Sequence, residues 1–270
     1  MKSEIADALK LAHHPVAVLW ADAAPERAMA FKPGKWGCVM WLVAAAARGK
    51  TATCNRETYG CWGGGVGMGF GNVYKTFPGG EGCFCHFLST GNEQWETGRQ
   101  AAEQVRPYMK EESFEHFVHG ERYFKNPALV ERFIQSLPIT DIPARHVVFA
   151  PLEDVDPGAA PQTVVMFANP DQLSALVVLA NYGRGDNENV IIPYAAGCQT
   201  VGIYPYREAA AENQRAVVGL TDISARVYIR NQLGGDLMTF AMPWRMFLEM
   251  EENVPGSFLE ASSWQKLRGA

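Results

Sequence analysis

The two halves of the chain carry different residue patterns, and this difference most constrains the fold. Residues 146–152 (HVVFAPL) and 163–168 (TVVMFA) are β-branched runs bounded by Pro, Gly and Asp, as is typical of buried strands. The later segments are predicted to alternate between short strands and turns: VIIP, AAGCQTVGIYPY, RAVVGL, DISARVYI and DLMTFAMP. The second half is therefore expected to supply most of a mixed β-sheet.

Helical patterns dominate the first half, after a single strand, PVAVLW, that ends at Trp20. The periodicity and the capping residues predict helices over residues 2–12, 38–48, 92–106, 111–119 and 126–136. Two further helices are expected later, one between Asn169 and Gly183 and one over WRMFLEMEENV. The predicted fold class is α+β, with a helical first half packed on the sheet. We expect a single domain over residues 1–270, with a soft joint near 136–145.

Composition excludes several classes of protein. The net charge is -5 and the basic residues are scattered, which argues against a nucleic-acid surface. The longest apolar run, residues 38–47, is shorter than the roughly 18 residues that span a bilayer. Glu4 and Asp7 interrupt the N-terminal segment, which is unlike a signal peptide, so a cytoplasmic protein is expected. Its apolar content also makes a homodimer an expectation.

A glycine run, CWGGGVGMGFG, follows the second cysteine of a polar turn. No position in it satisfies G-x-G-x-x-G, and no G-K-[ST] follows, so it is not a nucleotide loop of known signature. Glycine amides such as those of Gly63, Gly64 and Gly65 can still cradle an anion. The alternative is that small residues let a helix approach another element closely.

The cysteines are unevenly placed, since five of the six lie between Cys38 and Cys85. Their spacing matches no zinc ribbon, ferredoxin or thioredoxin motif. Thiolates nevertheless suit zinc and iron–sulfur clusters, and C-x-C followed by His86 supplies soft ligands. The candidate ligands are Cys38, Cys54, Cys61, Cys83, Cys85 and Cys198. Redox or nucleophilic thiols, and buried structural thiols, are the alternatives.

Two other functions are compatible with the sequence: small-molecule binding without catalysis, and thiol-dependent catalysis. Tryptophans near the glycines would line an apolar pocket in a non-catalytic small-molecule-binding protein. A thiol-dependent enzyme would need His86 or Arg226 to lower the pKa of an attacking cysteine. A small-molecule ligand or a redox partner is expected in either case.

The order of landmarks resembles the DUF169 family, also called the archaeal conserved-region (ArCR) family. The resemblance runs from about Ile5 to Glu252 through PVAVLW, GCVMWLVAAAARGK, CWGGGVGMGFG, VVFAPLEDV, VVMFANPDQLSALV, AAGCQTVGIYP, GLTDISAR and MTFAMP. Individually these motifs are short, and their order carries the specificity.

The resemblance implies that Cys38, Cys61 and Cys198 are the family's recurrent cysteines, and that Asp222 and Arg226 are its Asp and Arg. Cys54, Cys83 and Cys85 depart from the family pattern. The resulting hypothesis is an iron–sulfur cluster or another thiolate-bound metal, in a redox or sulfur-handling role. In this hypothesis the first three ligands are Cys38, Cys61 and Cys198, and the fourth ligand is Cys54, Cys83 or Cys85. Arg226 and the backbone amides of the glycine run would bind an anionic substrate or stabilise the charge of the cluster.

Overall fold

A seven-stranded mixed sheet organises the larger part of the chain in the computed structural model, which describes residues 1–269. Its strands are β1 (Val16–Ala21), β2 (Ala52–Asn55), β3 (His146–Pro151), β4 (Thr163–Ala168), β5 (Val190–Ile191), β6 (Ala216–Gly219) and β7 (Met238–Pro243). The strand order is β2-β3-β1-β4-β7-β6-β5, and only the β5–β6 pair is parallel. Most of the strands come from the second half. The α+β prediction is confirmed.

Helices fill the sequence between the strands. They are α1 (Glu4–Leu9), α2 (Met40–Ala47), α3 (Trp62–Gly67), α4 (Gly80–Phe87), α5 (Glu96–Val105), α6 (Glu111–His119), α7 (Pro127–Ser136), α8 (Pro170–Tyr182), α9 (Gly197–Val201), α10 (Ile203–Ala209), α11 (Ile223–Leu233), α12 (Trp244–Glu252) and α13 (Ser262–Gly269). None of these helices is long and apolar enough to cross a bilayer.

The chain forms two compact units. The first comprises Met1–Phe70 and Thr140–Ala270 and contains the whole sheet. The second, Gly71–Ile139, contains α4 to α7. The second boundary between them falls inside the predicted joint at 136–145. A single domain over residues 1–270 stays a prediction.

In the first unit, both faces of the sheet are covered. Alternate residues of β4 and β7, among them Met166 and Phe240, share one core with α1, α8 and α12. The residues between them face the other way and are equally buried, as Phe167 and Ala241 show. Helices α2, α9 and α10 contact the sheet as well, and a Cβ on Gly219 of β6 would collide with Thr200 of α9. The continuous apolar runs of the strands follow from this double burial.

Two predicted strand-and-turn segments are helices instead. DISARVYI alternates apolar and polar residues, but Asp222 caps a helix there, and the buried residues are Ala225, Ile229 and Leu233. This spacing of four is a helical period. AAGCQTVGIYPY folds as α9 and α10, which break at Gly202. Every residue of α9 is buried, so its sequence has no amphipathic period to reveal the helix.

The segment containing the C-x-C motif was also not predicted as a helix. GEGCFCHF forms α4 directly after the turn-rich FPGG sequence. Gly79 and Gly80 both have positive φ, of 78° and 82°, which glycine tolerates and other residues avoid. They make the turn that starts the helix. The glycine run likewise contains a helix, α3, which its sequence does not predict.

Candidate functional site

Three of the predicted ligands lie at the beginnings of three different helices. Cys38 stands two residues before α2, and its carbonyl oxygen accepts a hydrogen bond from the Trp41 N–H at 2.9 Å. Cys61 caps α3, and its sulfur accepts a hydrogen bond from the Gly64 N–H at 3.3 Å. Cys198 is the second residue of α9, and its thiol donates to the Gly63 carbonyl oxygen at 3.0 Å. Residues distant in sequence thus share one location.

The three sulfurs form one electrostatic cluster. Burial raises the pKa of the Cys198 thiol well above its usual range, and negative charge on Cys61 or Cys38 raises it further. The pKa of Cys38 is raised as well, first by burial and then by charge on Cys61. Protonated thiols are therefore favoured at neutral pH, in agreement with the hydrogen bond that Cys198 donates. We call Cys38, Cys61 and Cys198 the thiol cluster.

Glycines permit the close approach of the helices that carry this cluster. A Cβ on Gly67 would lie 2.8 Å from both the carbonyl carbon and the sulfur of Cys198. One on Gly64 would lie 2.6 Å from the Val39 side chain. Only glycine fits at these two positions without displacing a neighbour. The glycine run is therefore a helix-packing surface, the alternative considered from the sequence.

Asp222 connects α9 to α11. Its carboxylate caps α11 by accepting from the Ala225 N–H at 2.6 Å, and it accepts a second, short hydrogen bond from the Gly197 N–H. Burial raises the pKa of Asp222, while these hydrogen bonds and the Arg226 charge oppose the rise. Gly197 precedes Cys198, so one carboxylate fixes both helix N-termini beside the thiol cluster. Because this segment was predicted as a strand, the sequence analysis did not identify Asp222 as a helix cap, although Asp is a common residue at the start of a helix.

The predicted anion-binding groups make contacts within the fold. Arg226 donates from Nη1 to the carbonyl oxygens of Leu220 and Leu237 at 3.3 and 3.2 Å, and from Nη2 to that of Gly235 at 2.9 Å. Its guanidinium thereby holds the turn between α11 and β7. Around Gly63, Gly64 and Gly65, the backbone contacts Cys198 and Cys61 as described. Anion binding by Arg226 and these glycines stays a prediction.

Cys54 belongs to a strand, β2, and not to one of the helix starts that carry the thiol cluster. It is fully buried in β2, and burial raises its pKa. Burial raises the pKa of the nearby Tyr206 hydroxyl, and negative charge on Cys54 would raise it further. The Tyr206 ring packs edge-to-face against Trp20, with the ring centroids 5.1 Å apart. The charges that raise the pKa of Cys198 are those of Cys61, Cys38 and Asp222. Its predicted role as a fourth ligand stays a prediction.

Cys83 and Cys85 belong to α4, in the second unit. Burial, followed by the charges of Glu81 and Glu131, raises the pKa of Cys85 to about 11. The neighbouring His86 places Nδ1 3.2 Å from the Gly91 carbonyl oxygen and stacks its ring on Trp95. Their role as a fourth ligand also stays a prediction.

The metal-ligating side chains and two cavities can be compared with the position of the thiol cluster. Within residues 1–269, no group of three or more His, Cys, Asp or Glu side chains is positioned to hold a metal ion. Two cavities of about 400 and 450 Å³ are present in the molecule. The first lies beside Ser89 and Arg122, and the second beside Arg184 and Glu249, so neither is lined by the cluster, the glycine run or a tryptophan.

Fold and site define the class of the protein: an α+β protein in which three thiols converge on one side of a mixed sheet. The model of the DUF169 family, described as uncharacterised ArCR, matches residues 4–253. The chain belongs to this family, as its resemblance to the family's motifs indicated. Comparison with curated proteins gave no match, and comparison with solved structures gave none either.

Proposed function

We propose that the thiol cluster binds a thiophilic metal centre, either a zinc-like ion or an iron–sulfur cluster. The convergence of Cys38, Cys61 and Cys198 carries this proposal, because three thiols from distant segments lie close enough that charge on Cys61 raises the pKa of both Cys38 and Cys198, and charge on Cys38 raises that of Cys198. Thiolates are the ligands that such metals prefer. A redox or sulfur-handling role in the cytoplasm, where thiols stay reduced, is part of the same proposal.

Binding would be coupled to a local rearrangement. A thiol that donates to the Gly63 carbonyl must lose its proton before it can ligate a metal as thiolate. The resulting negative charge is repelled by that carbonyl oxygen, so the Cys198 side chain would turn away from it. Deprotonation and rotation of the Cys198 side chain would therefore convert the protonated thiol cluster into a set of thiolate ligands.

The pKa values support metal binding over nucleophilic catalysis. A catalytic thiol requires a lowered pKa, whereas burial raises those of Cys38, Cys54, Cys83, Cys85 and Cys198. For Cys85, with a pKa of about 11, the thiolate fraction at pH 7 is on the order of 10⁻⁴. A metal ion compensates for burial by supplying the opposite charge, which a substrate carbonyl does not.

The test is purification without oxygen, followed by the visible spectrum and assays of iron, sulfide and zinc on one sample. We expect a fixed ratio of metal to protein. This proposal takes Cys38, Cys61 and Cys198 as the protein ligands and requires no fourth ligand from Cys54, Cys83 or Cys85. Cys61→Ser and Cys198→Ser should each abolish metal binding, whereas Cys83→Ser, at a buried cysteine of the second unit, is the matched control and should retain it. Metal-free protein with six titratable thiols would contradict the proposal, as would equal metal content in all four proteins.

A further inference from the structure

Exposed apolar side chains are concentrated around the thiol cluster. Among the described residues, half of the large hydrophobic side chains that are exposed lie within six positions of Cys38, Cys198 or Asp222 in the sequence. These six residues, which we call the apolar rim, are Trp36, Trp41, Ile192, Tyr194, Ile223 and Val227. Single exposed hydrophobics are common, but a group of this size marks an interaction surface.

Contacts between elements place these residues in one region. The Trp41 indole donates to the Tyr228 carbonyl oxygen at 3.2 Å and packs edge-to-face against the Tyr228 ring, so α2 contacts α11. Trp36 lies 6.0 Å from Trp62 at the start of α3, measured between ring centroids. A Cβ on Gly63 would lie 4.0 Å from the Cβ of Ala196, which follows the segment carrying Ile192 and Tyr194.

Helix α11 shows most clearly that this surface is built for contact. Its inner face buries Ala225 and Ile229. Its outer face carries Ile223 and Val227 one turn apart, 63% and 62% exposed, and continues into the exposed polar residues Arg230 and Asn231. A helix that faces water on its outer side normally places polar residues there. Apolar residues on both faces indicate that the outer face is also covered when the protein is assembled.

We infer that the apolar rim is the interface of a twofold-symmetric homodimer. At roughly 150 Å² for every side chain, the lower end of the aromatic range and a fair value for Ile and Val, the exposed fractions of the six residues sum to about 500 Å². One partner of a standard stable interface contributes about 800 Å². The rim thus supplies most of the area that one copy needs. A second copy fits better than a transient redox partner, because permanent homodimer interfaces are the more apolar class.

Twofold symmetry also suits the composition of the surface. In an isologous interface the same patch appears on both sides, so apolar residues meet apolar residues without any complementary charge. Cys38 and Cys61 are partly exposed next to Trp36 and Trp62. The second copy therefore lowers the access of solvent to the thiol cluster. The dimer itself requires no metal, so this inference stands or falls separately from the proposed function.

The experiment is sedimentation equilibrium of metal-free protein from about 1 to 100 µM, a range in which a dimer with a Kd well below about 1 µM stays intact. Wild-type protein should have twice the 29.7 kDa chain mass. Ile223→Glu/Val227→Glu should sediment as a monomer with an unchanged far-ultraviolet circular dichroism spectrum. The matched control is Val178→Glu, at an apolar residue that is 47% exposed on α8, and it should remain dimeric.

A second variant guards against misfolding of the first. Ile192→Glu lies outside the helices, is 67% exposed, and should weaken the dimer at least tenfold. A monomeric wild-type protein over the whole range would overturn the inference, and would leave the rim to a different protein. A dimer that survives both rim variants, or one that only Val178→Glu dissociates, would overturn it equally.

Discussion

Asp222 is the residue that most directly supports the geometry of the thiol cluster. Its two carboxylate oxygens accept from backbone N–H groups of two helices, at Ala225 and at Gly197. Because Gly197 is adjacent to Cys198, loss of the carboxylate frees the segment that carries this thiol. Asp222 acts on the site through the backbone, so its role is to position a proposed ligand.

Asp222→Ala should lower the free energy of unfolding by about 1–3 kcal/mol, since it removes a helix cap and leaves a second buried N–H without its acceptor. Asp222→Asn keeps one carbonyl oxygen that can still cap α11, so its loss should be roughly half as large. Urea unfolding monitored by circular dichroism measures both values. Equal stability of Asp222→Ala and the wild type would show that the two hydrogen bonds accepted by the Asp222 carboxylate contribute nothing to the free energy of unfolding.

At the scale of elements, the packing of α3 against α9 determines whether the thiols can meet. Gly67 and Gly63 lie on the same helix and differ in their surroundings. A Cβ at Gly67 would collide with the Cys198 backbone, whereas one at Gly63 would make contacts of 3.9 and 4.0 Å, which are ordinary. The two positions therefore form a matched pair.

Gly67→Ala should destabilise the protein by about 1–3 kcal/mol, as overpacking of a core does. Gly63→Ala should be neutral or stabilising by up to about 1 kcal/mol, because alanine is the better helix former. Thermal unfolding of the two variants beside the wild type gives the comparison. If both substitutions had the same effect, the glycine run would not be the packing surface described here.

The Arg184–Glu249 ion pair links the segment after α8 to α12, with an N–O distance of 2.6 Å. Hydrogen bonds from Arg184 lower the pKa of Glu249. A carboxyl whose pKa is lower in the folded state stabilises the fold above its unfolded pKa, about 4.3 for Glu. That contribution is lost as the pH falls through the folded pKa.

Glu249→Gln should therefore reduce the free energy of unfolding at pH 7 by about 1 kcal/mol or less, because Glu249 is partly exposed and solvent screens the pair. The difference from wild type should begin to shrink as the pH falls below the unfolded pKa of about 4.3, and should disappear once the pH is below the lower, folded pKa of Glu249. Urea titrations at a series of pH values measure it. A difference that is constant down to acidic pH would rule out the charge as its cause.

Sequence patterns predicted elements well where one face of the element is polar. Helices α6 and α7 carry regular apolar stripes, and their predicted and observed bounds agree to within a residue. In α11, by contrast, Ile223, Ala225, Val227 and Ile229 alternate as in a strand, because two of them are exposed on a helix. Ile223 and Val227, the two exposed apolar residues that made this helix resemble a strand, are also residues that we assign to the dimer interface.

At the scale of the whole molecule, the sheet brings distant segments together in a way that local patterns do not encode. The spacing of the cysteines matched no known metal motif, and only the family resemblance singled out Cys38, Cys61 and Cys198. Their convergence depends on the layer of α2, α3, α9 and α11 and on close glycine contacts within it. Cys54, Cys83 and Cys85 are candidates by residue type as well; Cys54 lies in β2, and Cys83 and Cys85 lie in α4 of the second unit.

This distinction allows a balanced comparison of two triple variants. Cys38→Ser/Cys61→Ser/Cys198→Ser removes the thiol cluster, and Cys54→Ser/Cys83→Ser/Cys85→Ser removes the same number of thiols elsewhere. Native mass spectrometry of protein purified without oxygen compares the intact mass with that of the denatured chain. The difference is the mass of any bound metal centre, and it identifies the centre without relying on activity.

We predict that the wild type and the second triple variant carry the same extra mass, and that the first triple variant carries none. Extra mass lost only from the second variant would place the metal centre away from Cys38, Cys61 and Cys198. No extra mass in anaerobic wild-type protein, even after iron, sulfide or zinc is supplied, would contradict the proposal that these three thiols bind a metal.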